Sequence, residues 1–184
     1  MTETSRTDPR TNSPLNLPIH HLGYAVENLE DAILDAVRTL GAGPFFLMKD
    51  IPLTTTSLGE PALFAHSSAF GQWGDTALEF MQIHHCAPQR VADAMRQPTP
   101  ALNHIAYAAP SLEAARDALT DLGLPPFLQA QVGDIEFTMH SARAVCGHNV
   151  ELHDDNASFR GFWEQIRVAS IGWNGRDPIR DPAM

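Results

Sequence analysis

The chain says one thing twice. Ile19-His20-His21-Leu22-Gly23-Tyr24-Ala25-Val26-Glu27-Asn28-Leu29-Glu30-Asp31-Ala32 returns as Leu102-Asn103-His104-Ile105-Ala106-Tyr107-Ala108-Ala109-Pro110-Ser111-Leu112-Glu113-Ala114-Ala115, with His, Tyr, Ala, Leu, Glu and Ala in register. Leu40-Gly41-Ala42-Gly43-Pro44-Phe45 is echoed by Leu122-Gly123-Leu124-Pro125-Pro126-Phe127, and Ala77-Leu78-Glu79-Phe80 by Asn149-Val150-Glu151-Leu152. A duplicated unit holding one His and one Glu can bring four metal ligands to a shared axis. Each copy carries a His near its start and a Glu near its end.

Local patterns give each copy the same element order. Ile19–Val26 alternates and contains Tyr, Val and Ile, which predicts a strand. Asn28 is a helix N-cap with Asp31 three residues on. Leu29, Ala32, Ile33, Ala36, Val37 and Leu40 form an i, i+3, i+4 stripe that stops at Gly41. In the second copy Ser111 caps, Leu112, Ala115, Ala118, Leu119 and Leu122 form the stripe, and Gly123 ends it. Three strand-like stretches follow each helix: about 45–53, 62–70 and 76–83, then about 127–132, 135–144 and 148–153. The expected class is α+β, with two tandem βαβββ modules forming a cupped, barrel-like mixed sheet and helices outside. The expected divisions are an arm over 1–18, disordered or extended, then module 1 over 19–86 and a connector over 87–100. Module 2 follows over 101–155, and a C-terminal helix and tail over 156–184. Phe159, Phe162, Trp163 and Ile166 set that helix, expected to pack on the barrel or on a second subunit, with a lid role as the alternative.

Alternate strand residues share a face. His21, Gly23 and Ala25 oppose Leu22, Tyr24 and Val26, and His104, Ala106 and Ala108 repeat this, so each His lies among small neighbours with room above it. Glu79 and Glu151 sit between core residues and therefore point the other way, into the concave face. Burying two carboxylates costs several kcal/mol each unless a cation compensates. Two imidazoles and two carboxylates suit one divalent ion (Zn, Ni, Co, Mn or Fe). His21, Glu79, His104 and Glu151 are the expected metal ligands.

These motifs resemble the vicinal oxygen chelate superfamily, the group of glyoxalase I, methylmalonyl-CoA epimerase, extradiol dioxygenases and bleomycin resistance proteins. The resemblance covers about Ile19 to Asp154. It implies paired βαβββ modules cupped around one divalent metal, with the module-end Glu as a ligand. It also implies a metal that stabilises an enolate on a small carbonyl or acyl substrate, giving isomerase, epimerase or lyase chemistry. An extradiol-type dioxygenase using iron is the first alternative, and a drug- or metabolite-sequestering binder without catalysis the second. All four ligands being present favours proton transfer.

The resemblance implies that a metal-bound Glu can leave the ion and act as base, as in glyoxalase-like members, which nominates Glu79 or Glu151; His66 and His140 are the other candidates. The last two follow Gly59 and Gly133 at the same spacing and are expected to line the cup as general acid and base. Glu60 and Asp134 read as turn residues, His84 and His85 as an exposed loop, and His148 and His153 as structural. Phe45, Phe46, Phe64, Phe70 and Trp73 are candidates for an apolar pocket wall. Lys49 and Arg143 are the main basic residues of the cup-forming strands, a scarcity that favours a less charged substrate over glutathione or coenzyme A, with Arg38, Arg90 and Arg96 on the rim as the anchors that would keep coenzyme A open.

A formal net charge of −10 argues against nucleic acid or an anionic membrane as partner. Cys86 and Cys146 are too few for a disulfide scaffold, 1–18 lacks the apolar core of a signal peptide, and no apolar run approaches the roughly 20 residues of a membrane span. A cytoplasmic enzyme acting on a small molecule, as a homodimer, is expected.

Overall fold

The computed structural model describes Ser13 and residues 15–182. The arm expected over 1–18 thus lies mostly outside the described residues. β1 (Ile19–Ala25) leads into α1 (Leu29–Leu40). The Asn28 carboxamide accepts from the Asp31 N–H at 3.1 Å, and Gly41 ends the helix at φ 65, a left-handed position that glycine takes without Cβ strain. β2 (Phe45–Met48), β3 (Thr54–Ser57), β4 (Glu60–Pro61), β5 (Leu63–Trp73) and β6 (Thr76–Ala87) complete the first half. α2 (Gln89–Met95) precedes β7 (Ala101–Ala109), α3 (Leu112–Asp121), β8 (Pro126–Val132), β9 (Ile135–Ser141), α4 (Arg143–Cys146) and β10 (Asn149–Asp154). α5 (Ala157–Ser170) and β11 (Ile179–Arg180) follow.

The fold is α+β. The strands form one curled, unclosed 11-stranded sheet in the order β11-β2-β5-β6-β1-β7-β10-β9-β8-β3-β4. Its centre is pseudo-symmetric: β1 runs parallel to β6, β7 parallel to β10, and β1 and β7 meet antiparallel. Alternation then sorts the side chains. Leu22, Tyr24, Leu78 and Phe80 pack with Leu29, Ile33 and Ala36 of α1, while Tyr107, Val150 and Leu152 pack with Leu112 and Leu119 of α3. The other face of the same strands carries His21, Gly23, Glu79, His104, Ala106 and Glu151.

Three segments depart from the sequence-based expectation. The strand expected over 45–53 ends at Met48, and the chain then crosses to the far edge of the second half. There β3 pairs with β8, Thr55 opposite Ala130. Leu58 and Gly59 turn the β3–β4 hairpin at φ 54 and 81, both left-handed, as a two-residue loop with right-twisted strands requires. The buried Ser57 hydroxyl donates to the Phe127 carbonyl at 2.6 Å, and Arg90 donates to the Ser57 hydroxyl and carbonyl at 2.7 and 2.6 Å, clasping the crossing in place. His84 and His85 lie within β6, which continues to Ala87, and not in a loop. β9 stops at Ser141, where α4 begins.

α5 starts at Asn156, whose side chain accepts from the Phe159 N–H at 2.9 Å. It does not join the outer helices. Phe159, Trp163 and Ile166 pack with Ala77, Ala108, Phe70 and Ile135, which share the inward face of Glu79 and Glu151, so α5 stoppers one end of the cup.

Gly71 shows how tightly the first half is packed: a Cβ there would lie 2.5 Å from the buried Phe45 ring. Gly71→Ala is expected to destabilise the protein by about 2 kcal/mol, the usual cost of overpacking. In a Phe45→Leu background the penalty of the same change is expected to shrink, because the two positions share one space. Urea denaturation of the four proteins of the cycle measures this; an unchanged penalty would refute the close contact.

Candidate metal centre

His21, Glu79, His104 and Glu151 come from four adjacent strands, β1, β6, β7 and β10. Register makes the arrangement two-fold: Gly23 of β1 stands opposite His104 and beside Glu79, and Ala106 of β7 stands opposite His21 and beside Glu151. The small partners are required. A Cβ on Gly23 would fall 2.0 Å from Cε1 of His104.

The donor atoms converge. His21 Nε2 lies 3.2 Å from Glu151 Oε2 and 3.5 Å from Glu79 Oε2; His104 Nε2 lies 3.3 Å from both and 3.4 Å from His21 Nε2. All four donors lie within 4.8 Å of one another, and none of the four residues is more than 5% exposed. Metal–donor bonds of about 2.0–2.2 Å at tetrahedral to octahedral angles place neighbouring donors roughly 3 to 3.5 Å apart. The spacing and the donor chemistry both fit one divalent cation.

With protons alone, the cluster balances its charge by holding them. Burial pulls His104 down, but Glu151 and Glu79 outweigh it and lift the imidazole to about 10; His21 is raised by the same pair against the same burial. Burial pushes both glutamates up, yet His104 and His21 hold Glu79 well below the carboxylate range, and His104 and His153 do the same for Glu151.

A surrounding layer fixes the donors. His21 presents Nε2 to the cluster, and its Nδ1 lies 3.1 Å from Nδ1 of His20. Burial, then His21 and His153, drives His20 down to about 3, so it is neutral and accepts from the His21 N–H. His104 Nδ1 lies 3.3 Å from the Asn103 carboxamide oxygen, and the Asn103 NH2 donates to the Met95 carbonyl. Trp163 stacks on His21 with ring centroids 4.6 Å apart, and Phe159 stacks on His153 at 4.5 Å. Partners of this kind orient ligand imidazoles and fix their tautomers.

The other sequence candidates separate clearly. His66 lines the cavity above the cluster. Its ring lies flat on Phe64 at 4.0 Å, with Nδ1 3.4 Å from the Phe64 carbonyl. His140 does not reach the cup, which corrects the expected pair. It stands opposite Val150 on the helix-side face, with Nδ1 donating to the Leu124 carbonyl at 2.7 Å and Nε2 2.9 Å from the Thr138 hydroxyl. The matched spacing from Gly59 and Gly133 misled because Gly59 turns the inserted β3–β4 hairpin, while Gly133 turns β8–β9. A β-bulge between Ala65 and His66 sets the phase of β5.

His153, read as structural, belongs to the site: Nε2 lies 2.9 Å from Glu151 Oε2. Its place two residues after Glu151 on one strand was the available signal. Phe64 and Phe70 wall the cavity as expected, whereas Phe45 is in the α1 core and Trp73 is exposed. Asp134 is a turn residue whose carbonyl accepts from the Asn156 side chain. His148 donates to the Asn149 carbonyl outside the cavity. Lys49 lines a separate surface groove, and Arg143 donates to carbonyls of α2.

The cavity measures about 220 Å³. His21, Glu79 and Glu151 of the cluster border it, and its other lining includes Met48, Ile51, Leu53 and Phe64, Ile135 and Phe137, and Phe159, Phe162 and Trp163 of α5.

Gly23→Ala is expected to abolish stoichiometric zinc binding by displacing the His104 ring. His20→Ala keeps all four donors and is expected to weaken zinc binding by about 10- to 100-fold, as loss of an orienting partner does. Competition with a chromogenic chelator measures both; wild-type affinity in either variant would contradict the assignment.

The family profile described as Glyoxalase/Bleomycin resistance protein/Dioxygenase superfamily matches residues 20–144. A hypothetical protein from Bacillus halodurans C-125 is similar in structure, with TM-score 0.55 and 19% identity over 76% of this chain and 94% of that one. Methylmalonyl-CoA epimerase from Mycobacterium tuberculosis aligns with TM-score 0.50 and 15% identity over 78% of this chain and 91% of that one. At such identities the likeness is one of fold. No curated protein matches the chain. The repeated strands, the cupped sheet and the profile agree: the chain belongs to the glyoxalase/bleomycin resistance protein/dioxygenase superfamily.

Proposed function

We propose that the protein is a divalent-metal-dependent enzyme that moves a proton at a carbon beside a carbonyl, giving isomerase, epimerase or lyase chemistry. The observation that carries this reading is the meeting of four buried donors, two of them carboxylates, three of whose residues line an apolar cavity. His21, Glu79, His104 and Glu151 would hold the ion. A divalent cation there supplies Lewis acidity, polarising a carbonyl and stabilising the enolate that forms when the neighbouring proton leaves.

The chain's own groups divide the remaining work. Glu151 is tied to His153 as well as to His21 and His104, whereas Glu79 contacts only the two ligand imidazoles. Glu79 is thus the carboxylate freer to accept a proton. His66 is the second base. Burial holds it below the ordinary histidine value of 6.5, so it is neutral near pH 7. Donation from Nδ1 to the Phe64 carbonyl leaves Nε2 with the lone pair, on a side chain that borders the cavity. The apolar walls exclude water and so protect an enolate from stray protonation. Unpaired Cys86 and Cys146 suit the reducing cytoplasm in which we place the enzyme.

Elemental analysis of protein purified without chelator is expected to find about one equivalent of Zn, Ni, Co or Mn per chain. Iron with substrate-dependent oxygen uptake would replace this reading by a dioxygenase. Protein that binds no added divalent ion would leave a sequestering binder.

With metal bound, exchange of α-carbonyl protons for deuterium, followed by proton NMR over a panel of α-hydroxycarbonyl compounds, tests the base. His66→Gln is expected to keep the metal and slow exchange by roughly 10²- to 10⁴-fold. Because the His66 pKa is lowered, its basic form persists as pH falls and is lost only below 6.5. The His66-dependent part of the rate is therefore expected to stay level through neutral pH and decline below that value. A decline centred above 6.5 would exclude His66 as the base.

A further inference from the structure

We infer that the substrate is a small, uncharged molecule whose bulk, beyond the oxygens that meet the metal, is an aryl or branched-alkyl group. This rests on the metal-centred reading above and deepens it. Among the described residues, and apart from the metal-site histidine and glutamates, His66 and His153, those lining the cavity are apolar: none is Lys, Arg, Asn, Gln, Ser, Thr or Tyr. An anionic handle such as a carboxylate or phosphate would be desolvated there with no cation or amide to receive it.

Several cations of the described residues are engaged elsewhere: Arg90 on Ser57, Arg143 on the α2 carbonyls and Arg160 on Asp155, while Lys49 lies in a different groove. The cluster offers no compensation either. Two carboxylates neutralise a divalent ion, so the centre carries no surplus positive charge for a second anion.

Shape agrees with charge. Phe70 meets Phe162 edge-on at 5.1 Å and 86°, and Trp163 at 5.5 Å and 88°. A flat apolar ring entering this corner continues the edge-to-face pattern that aromatic groups prefer. At about 220 Å³ the cavity is smaller than the roughly 300–1,000 Å³ of ordinary ligand pockets, so it takes a small guest and leaves little room within it for a second ring.

Calorimetric titration with two probes that share one bidentate headgroup tests the inference. Benzohydroxamate carries a neutral ring, and succinic monohydroxamate carries a carboxylate. Each is titrated into zinc-loaded and metal-free wild-type protein. Benzohydroxamate is expected to bind at least about tenfold tighter than the anionic probe, and 4-phenylbenzohydroxamate at least about tenfold weaker than benzohydroxamate. Equal or reversed affinities of the first two probes would overturn the inference. If zinc still tightened both, the metal-centred reading would stand without it. An aryl preference with no gain from zinc would support the apolar compartment and overturn the metal-centred reading. Failure of both probes to bind in either state would overturn both.

Discussion

Two carboxylates are buried side by side at the centre of the sheet, and most of what surrounds them follows from that. Glu79 and Glu151 cannot turn outward, because their neighbours Leu78, Phe80, Val150 and Leu152 fill the cores under α1 and α3. A residue that sends its neighbours to one face of a strand must itself go to the other. Among the described residues no lysine or arginine lines the cavity above them, and the positive charge at hand is that of imidazoles or of a cation. The two glutamates outweigh the burial of His104 and lift it to about 10, so they favour positive charge between them. A divalent ion answers the same demand in place of protons.

This demand made the centre legible in the sequence. The repeat placed a His on each first strand and a Glu on each last strand, and period-two alternation placed all four on one face. Small residues at Gly23 and Ala106 were part of the same signal. In the folded sheet each faces the other half's His, and Gly23 sits so close to His104 that no side chain fits between them. The helix caps at Asn28 and Ser111 were legible too, since a side-chain oxygen that accepts from an N–H three residues on is a local device.

What the sequence concealed depends on pairing between distant segments. The β3–β4 hairpin leaves the first half and pairs with β8, and its turn residues Leu58-Gly59 lack the Asn-Gly or Asp-Gly form that announces such a loop. Leu58 tolerates its left-handed backbone at the surface, where its side chain is 67% exposed. Once that insertion is present, equal counting from Gly59 and Gly133 no longer compares equivalent strands. His66 falls on the face of Phe70 and Glu79, while His140 falls on the face of Val150. His20 was hidden differently. Regular alternation would point it away from its neighbour His21, but the β1–β7 register shifts between Ile19 and His21, and its ring lies beside Nδ1 of His21, packed on Phe159 and Trp163.

α5 joins the two requirements of the site. Its helical spacing was plain in the sequence, but the face of the sheet it would choose was not. Packed inside the cup, Trp163 stacks on His21 with one surface and walls the cavity beside Phe70 and Phe162. Phe159 likewise touches both His20 and His153, the partners of His21 and Glu151. The rings that shape the space for a guest are therefore the rings that hold the donors' orientation. Close packing transmits displacement between neighbours, so a guest that moves Trp163 also moves His21. Recognition and donor geometry in this protein are thereby one packing problem, shared between the end of the chain and the duplicated strands at its centre.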